Sequence, residues 1–423
     1  MPRSFAAKLL ALLALFACLN ILSDLQISTT AQARVKLGID VLADTRFEIL
    51  RGKRVGLLTH QAGVNQFGQS TIDVLRNARQ VQLVKLFGPE HGIYGDEKAN
   101  VPVLDKIDPR TNLPVYSLFG KYRKPTAGML SGLDVLVIDL QDLGVRSYTY
   151  AACMRYAMEA AIENNLEVVV LDRPNPLGGL KVDGPNREEK WRSYVGDFPV
   201  PYVHGLTMGE LARMAVSEKG ILNLSDAERK SAKLSVVTME GWNRYMSWTN
   251  TGLSWIPTSP NIPTFESVVG YSMTGLGAQL GGFKHGIGSE YPFRILTFDK
   301  VKLDALKKEL EARNIPGVAF ETKQFMSGQK EGLYVKITDW KAWRPTELSF
   351  HMMQVADKFS RSNPFASTSE GQGNLFNKHV GSSRWWQEIT QRGQNSNLSG
   401  FIVSWERQAK QFQYRTRKYW LYD

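Results

Sequence analysis

Val135-Leu-Val-Ile-Asp139-Leu-Gln141-Asp142 is an unbroken apolar run that stops at a cluster of polar side chains. Three other stretches repeat the pattern. Arg54-Val-Gly-Leu-Leu-Thr ends at His60-Gln61, Val81-Gln-Leu-Val-Lys-Leu-Phe at Gly88-Pro-Glu90-His91, and Leu166-Glu-Val-Val-Val-Leu at Asp172-Arg173-Pro-Asn175. Short runs rich in Val, Ile and Leu, with room for a helix between them, read as buried parallel strands. The expected fold class is therefore α/β with a mostly parallel sheet. In such sheets ligands bind beyond the carboxyl ends of the strands, and here His, Glu, Asp, Arg and Asn collect at those ends.

The chain has 423 residues, enough for two domains. The strand-then-helix rhythm runs through residues 34–258, with helices expected at 71–78, at 148–164 and after Thr207, whose partner Glu210 completes a capping box. Thr258-Ser-Pro-Asn-Ile-Pro-Thr264 is rigid and non-helical, and it separates a second, smaller domain, 259–423. There a glycine-rich segment, 270–288, precedes a strand at 293–298, a helix at 303–313, a strand at 333–338 and a helix at 347–359. A Ser-, Gly- and Asn-rich loop is expected at 362–375, then a helical tail from Ser383 that carries Trp385-Trp386 and Trp405.

Residues 1–33 differ from the rest. Arg3 and Lys8 precede the apolar stretch Leu9 to Leu22, the layout of a secretory signal peptide. Ala31-Gln32-Ala33 suits cleavage before Arg34; the alternative is a lipid anchor on Cys18. Export to the periplasm or the exterior is expected, with no transmembrane segment left after removal of the signal. Loss of Cys18 would leave Cys153 without a disulfide partner, so the fold must rest on its core. The formal net charge of +11 suits anionic surroundings such as acidic wall polymers. Export and the lack of a long basic block argue against nucleic acid.

Gly88 and Pro89 force a sharp exit from the second strand, and Gly92 and Gly95 hem the backbone that presents Glu90 and His91. A carboxyl group at such a tip, against an apolar wall, suits general acid work. Asp139 and Gln141 share a strand face; with Asp142 they can hydrogen-bond sugar hydroxyls, orient Arg146 or, with His91, hold a metal. No His-x-x-x-His or His-x-Asp spacing supports the metal. Arg173 suits a forked contact with a ligand carboxylate or an internal pair with Asp172 or Asp142. Glu290 lies in a glycine-rich loop, after Lys284 and His285. There is no Gly-x-Ser-x-Gly elbow and no phosphate-cradling loop. Glu90 and Glu290, one from each half, supply the pair of carboxyl groups that glycoside hydrolysis usually requires. Tyr148, Tyr150, Asn175 and Asn261 suit sugar binding.

Six segments carry a resemblance: Gly56-Leu-Leu-Thr-His-Gln-Ala-Gly-Val-Asn65, Phe87-Gly-Pro-Glu-His-Gly-Ile-Tyr-Gly-Asp96, Asp139-Leu-Gln-Asp-Leu-Gly-Val-Arg-Ser-Tyr148, Asp172-Arg-Pro-Asn-Pro176, Ser259-Pro-Asn-Ile-Pro263 and Gly288-Ser-Glu-Tyr-Pro-Phe293. Over residues 38–423 the chain resembles the exo-β-N-acetylmuramidases called NamZ, glycoside hydrolase family 171, formerly a bacterial domain of unknown function. The resemblance implies a Rossmann-like N-terminal catalytic domain, a smaller α/β C-terminal domain and an active-site cleft between them. It implies removal of a terminal non-reducing N-acetylmuramic acid from peptidoglycan-derived muropeptides or disaccharides, without a cofactor, and it places the two catalytic glutamates on Glu90 and Glu290. The sugar's lactyl group is a carboxylate that Arg146, Arg173, Lys284 and the histidines His60, His91 and His285 are suited to bind. Asp139, Gln141, Asp142, Tyr150, Asp172, Asn175 and Asn261 complete the expected substrate-binding set. Two other readings compete: a non-catalytic peptidoglycan-binding envelope protein, and a metal-dependent hydrolase using His91, Asp139 and Asp142.

Overall fold

The apolar runs form the middle of a seven-stranded sheet in the computed structural model, which describes residues 34–97, 101 and 103–423. The strands of the first half are β1 Arg54–Thr59, β2 Gln82–Gly88, β3 Lys106–Ile107, β4 Pro114–Ser117, β5 Val135–Asp139, β6 Glu167–Leu171, β7 Asp183–Asn186, β8 Pro201–Val203 and β9 Leu234–Val237. The sheet order is β3-β4-β2-β1-β5-β6-β9, parallel throughout except for the antiparallel edge strand β3. The chain thus runs outward from β1 through β2 to β4, returns to the other side of β1, and runs outward again through β5 and β6 to β9. That is the doubly wound, Rossmann-like order, and its switch point lies between β1 and β5. β7 and β8 form a separate antiparallel pair.

Alternation along the strands feeds two cores. Leu58, Leu136, Ile138, Val168 and Val170 face one cluster, and Val55, Leu57, Val135, Val137, Val169 and Leu171 face the other. Each such side chain, fully buried, contributes about 1.5–3 kcal/mol. Helices α1 Thr71–Asn77, α2 Thr149–Glu163 and α3 Met208–Ser217 occupy the crossovers. The expected Thr207–Glu210 capping box opens α3. β9 escapes sequence reading because Leu234-Ser-Val-Val is only four residues long and half-buried.

The second half contains α4 Phe265–Thr274, β10 Ile295–Leu296, α5 Leu303–Glu311, β11 Val318–Phe325, β12 Lys330–Ile337, α6 Glu347–Lys358, α7 Glu370–Val380, α8 Ser383–Arg392 and α9 Leu398–Thr416. Its sheet, β10-β12-β11, is antiparallel. The strand expected at 293–298 shrinks to β10, because Phe293 sits at φ 61° in a turn. The loop expected at 362–375 gives way at Glu370 to α7, whose first turn is closed by a Ser369–Gln372 capping box. The change from parallel to antiparallel sheet falls after Thr258, yet the larger hydrophobic cluster runs through it, from Leu136 to Leu333 and Trp405. Val35–Asp423 forms one compact unit.

Buried polar groups rivet the halves together. Asp183 in β7 accepts hydrogen bonds from Thr346 N and Oγ1, both at 2.8 Å, and from Trp405 Nε1 at 2.9 Å. The Tyr422 hydroxyl donates to Asp172 at 2.7 Å, and Leu421 N donates to Glu210 at 2.9 Å. Cys153 is a free, buried thiol whose pKa burial pushes up to about 12. Among the described residues no helix is long and apolar enough to cross a membrane. The signal segment 1–33, with Cys18 and Ala31-Gln32-Ala33, lies outside the described residues.

Replacing Asp183 by Ala strands three buried donors. The Asp183→Ala protein is expected to lose about 3 kcal/mol of stability, since each unmatched donor costs about 1–3 kcal/mol. Urea unfolding measures this, and a loss below about 1 kcal/mol would contradict the riveting role.

Candidate functional site at the strand tips

His60 follows β1, and Gln141 and Asp142 follow β5, so the three residues stand at the switch point. The Gln141 backbone N–H donates to His60 Nε2 at 3.0 Å, which puts the ring proton on Nδ1. Burial, with help from the charges of Arg173 and His91, holds the His60 pKa well below its ordinary value, so the ring stays neutral. The Gln141 amide donates to the carbonyls of Asp142 (2.9 Å) and Pro174 (3.0 Å), which fixes its orientation. Asp142 Oδ2 accepts from Gly144 N at 2.7 Å and lies 3.7 Å from His204 Nε2. His60 Nδ1, Gln141 Oε1 and Asp142 Oδ1 are buried and have no hydrogen-bond partner among the described residues. One donor and two acceptors at one switch point are a polar set suited to hydroxyl and amide groups.

Glu90 lies just past β2, half-buried. Thr149, in the first turn of α2, donates its hydroxyl to Glu90 Oε2 at 3.0 Å. The Tyr150 hydroxyl donates to the Thr258 carbonyl at 2.8 Å and lies 3.3 Å from the Glu90 carbonyl. Tyr150 also meets the His60 ring edge-on, with centroids 4.8 Å apart, and packs at a tilt, 4.7 Å between centroids, against Tyr148, which in turn meets Tyr271 of α4 edge-on. Glu90, at the tip of β2, is therefore bordered by Thr149 and Tyr150 at the start of α2, and Tyr150 in turn touches His60 at the tip of β1. The expected tight backbone is present: His91 adopts φ 73°, and a side chain at Gly95 would run into Gln61 at 2.3 Å. His91 Nδ1 donates to the Glu97 carbonyl at 2.9 Å.

The comparisons with known proteins agree with this architecture. The sequence models described as exo-beta-N-acetylmuramidase NamZ, N-terminal and C-terminal, match residues 55–266 and 269–422. The chain belongs to the NamZ family. It is 36% identical over 407 residues to the peptidoglycan beta-N-acetylmuramidase NamZ of Bacillus subtilis (strain 168), covering 94% of each chain. A crystal structure of a DUF1343 family protein from Bacteroides fragilis NCTC 9343 superposes with a TM-score of 0.83 at 40% identity, covering 92% of this chain and 99% of that one. A second DUF1343 family protein from the same organism, 24% identical with a TM-score of 0.71 over 92% of this chain and 99% of that one, shares the fold.

In this NamZ chain several of the expected binding residues are engaged by the scaffold. Arg173 does form a forked contact, but with Asp139 (2.5 and 2.9 Å), not with Asp172 or Asp142, and it also donates to the Val64 carbonyl at 2.6 Å. Asp139 also accepts from Thr71 Oγ1 at the start of α1. Arg146 spends its two terminal nitrogens on four carbonyls, those of Pro185, Val200, His379 and Val380, at 2.8–3.0 Å. Burial lowers its pKa to about 9. Asp172 anchors the first turn of α3 through Thr207 Oγ1 (2.7 Å) and Gly209 N (2.8 Å). Asn175 caps Leu177 N and donates to the Leu206 carbonyl, both at 3.0 Å. The three residues offered for a metal do not meet: Asp139 serves Arg173, Asp142 serves Gly144, and His91 serves Glu97.

The second-half residues group elsewhere. Lys284 pairs with Asp299 at 2.5 Å, both exposed. His285 is buried with Nε2 unpartnered among the described residues, and burial lowers its pKa to about 4. Both line a cavity of about 690 Å3 with Phe283, Phe298, Ile287 and Met326; no strand-tip residue lines it. Glu290 is exposed, and its two oxygens accept from Met326 N (2.8 Å) and Ser327 N (3.1 Å) in the β11–β12 turn. These bonds, with that from Met326 foremost, lower its pKa. Asn261 is half-buried, three residues past Thr258. Sequence reading missed Thr149 and Tyr271. Thr149 was findable as a hydroxyl in the first turn of the helix that follows a strand tip; Tyr271 leaves no such signal.

Removing Arg173 leaves a buried carboxylate beneath the tips. Arg173→Met is expected to cost about 3–5 kcal/mol, and adding Asp139→Asn to recover part of the loss. Thermal or urea unfolding of the double-mutant cycle reads the coupling; strictly additive losses would exclude the buried pair.

Proposed function

We propose that this chain is an exo-acting β-N-acetylmuramidase that hydrolyses the terminal, non-reducing N-acetylmuramic acid from peptidoglycan fragments. The observation that carries the reading is Glu90: a carboxyl group at a strand tip, held by Thr149 and the aromatic wall of Tyr150 beside neutral His60. Family membership supplies the substrate class. In this reaction Glu90 protonates the glycosidic oxygen as its bond to the anomeric carbon breaks, and water completes the exchange. His60 Nδ1, Gln141 Oε1 and Asp142 Oδ1 are the groups set to hold the sugar.

Glu290 has the other character that a carboxylate pair needs. Two backbone amides keep it ionised, which suits support of the electron-poor anomeric carbon. A second reading has its own support. Glu290 is exposed and both its oxygens are occupied by the β11–β12 turn, so the substrate's acetamido oxygen is the alternative internal nucleophile, a known departure from the two-carboxylate scheme.

A muramic-acid-terminated disaccharide and the protein lacking residues 1–33 test both. Glu90→Gln is expected to lower kcat/KM by about 10²–10⁴-fold with the fold intact. Undiminished turnover would sink the assignment. A comparable loss in Glu290→Gln supports the ionised-partner role, and retention of most activity supports the acetamido route.

We further propose that the protein acts outside the cytoplasm, on the strength of the basic and apolar layout of residues 1–22 and the Ala31-Gln32-Ala33 site. Amino-terminal sequencing of the protein from its native cells is expected to begin at Arg34. A chain that begins at a lipidated Cys18 would show anchoring instead, and an intact Met1 start would refute export by this signal.

A further inference from the structure

Trp386 is one of a Trp pair that stands out in the sequence, and the strand-tip chemistry makes no use of it. Its neighbour Trp385 is fully buried, but Trp386 lines a second groove of about 690 Å3 between α7, α8 and the Lys190–Trp191 segment. We propose that this groove is a second glycan site, one that binds the N-acetylated sugar backbone of the cell-wall polymer away from the sugar that is cleaved. The proposal deepens the muramidase reading, on which its choice of polymer rests.

The groove is a constructed one. Trp191 is pinned by its Nε1, which donates to Ser383 Oγ at 2.7 Å, and Ser383 donates through N and Oγ to Glu188, both at 2.9 Å. Trp386 packs at 5.0 Å on Phe376 of α7. Gly373 makes room for it, because a Cβ there would lie 2.9 Å from the indole. The C-terminal end of α7 is bolted to the first half by Arg146, which donates to the His379 and Val380 carbonyls. Arg146 thus connects the groove to the loop between Asp142 and α2.

Its lining matches one ligand chemistry. Two indoles, Trp191 and Trp386, offer flat apolar faces to the C–H faces of sugar rings. Asn374, Gln387 and Gln391 present amides, and each amide carries both a donor and an acceptor, as an acetamido group does. Asn377 adds a pointed observation. It is 4% exposed, its Nδ2 donates to the Gly373 carbonyl, and its Oδ1 has no partner among the described residues. Charge is sparse. Lys190 lies 3.9 Å from Glu188, and Glu370 is the groove's acid. The indoles and amides therefore address the ring faces and acetamido groups of the glycan, which need no cation, and leave its lactyl carboxylates to solvent.

The test uses the catalytically silenced Glu90→Gln protein, so that binding is read without turnover. Its affinity for wall glycan stripped of peptide is compared with its affinity for a muramic-acid-terminated disaccharide, in parallel with Trp386→Ala, Trp386→Phe and Asn374→Ala/Gln387→Ala versions. Circular dichroism and melting temperature report the fold. Trp386→Ala is expected to weaken glycan binding about tenfold. The paired amide substitutions, on exposed helix surface, are expected to weaken it as well, and Trp386→Phe to restore much of it. Disaccharide affinity is expected to stay level, because it reports the strand-tip site. Unchanged glycan binding in the folded variants overturns the proposal, as does parallel loss of both affinities. Binding that appears only when the peptide stems are left on the wall would assign the groove to peptide and overturn it too. Should the disaccharide fail to bind any version, the muramidase reading falls, while the glycan comparison still decides the groove.

Discussion

The Arg173–Asp139 pair sits under everything the strand tips do. Asp139 ends β5 and Arg173 follows β6, and the pair reaches sideways to Thr71 at the head of α1 and to the Val64 carbonyl in the loop after β1. Three strand ends and one helix start are thereby fixed to a single forked contact with side chains 1–2% exposed. A buried pair of this kind gains little net stability over an apolar replacement, but it is costly to break from one side only. Its value here is geometric. It sets the relative heights of β1, β5 and β6, and so of His60, Gln141 and Asp142 above them.

A division of labour follows. Charges that the motifs gather at the strand ends mostly do structural work, and neutral or singly engaged groups keep atoms uncommitted. The terminal nitrogens of Arg146 are taken up by carbonyls, Arg173 by a carboxylate and a carbonyl, and Asp172 by hydroxyls and backbone amides. His60, Gln141 and Asp142 each use one atom on the scaffold and keep another uncommitted. A ligand with many hydroxyl and amide groups benefits from such donors and acceptors, because they are already oriented before it arrives.

Legibility in the sequence tracked how local the cause was. β5 and β6 could be read because strands buried on both faces need continuous apolar runs, and α3 because Thr207 and Glu210 lie three residues apart. β3, β4 and β9 could not, since strands of two to four residues at or next to the sheet edges carry too few buried positions to stand out. α7 hid behind Gly371, Gly373, Asn374 and Asn377, poor helix formers, even though its Ser369–Gln372 cap was in view. In the site, Glu90 and His60 were evident from their place at strand ends. The fate of Arg146 was not, because two of its acceptors are carbonyls more than 230 residues away, and a carbonyl leaves no mark on residue type. The same reasoning covers Tyr271, whose contact with the Tyr148 ring depends on how two distant segments pack.

The Tyr422–Asp172 hydrogen bond spans 250 residues and ties the tip of β6 to the segment 421–423. Leu421, bound to Glu210, ties α3 to the same segment. A ribosome delivers Asp172 and Glu210 long before it delivers these partners. During synthesis, therefore, each of these two buried acids lacks one of its native donors until that segment arrives, although Thr207 and Gly209 already serve Asp172 and Arg244 serves Glu210. A nick or truncation before Leu421 would therefore be felt some 200 residues away, at Asp172 and Glu210 beside the start of α3.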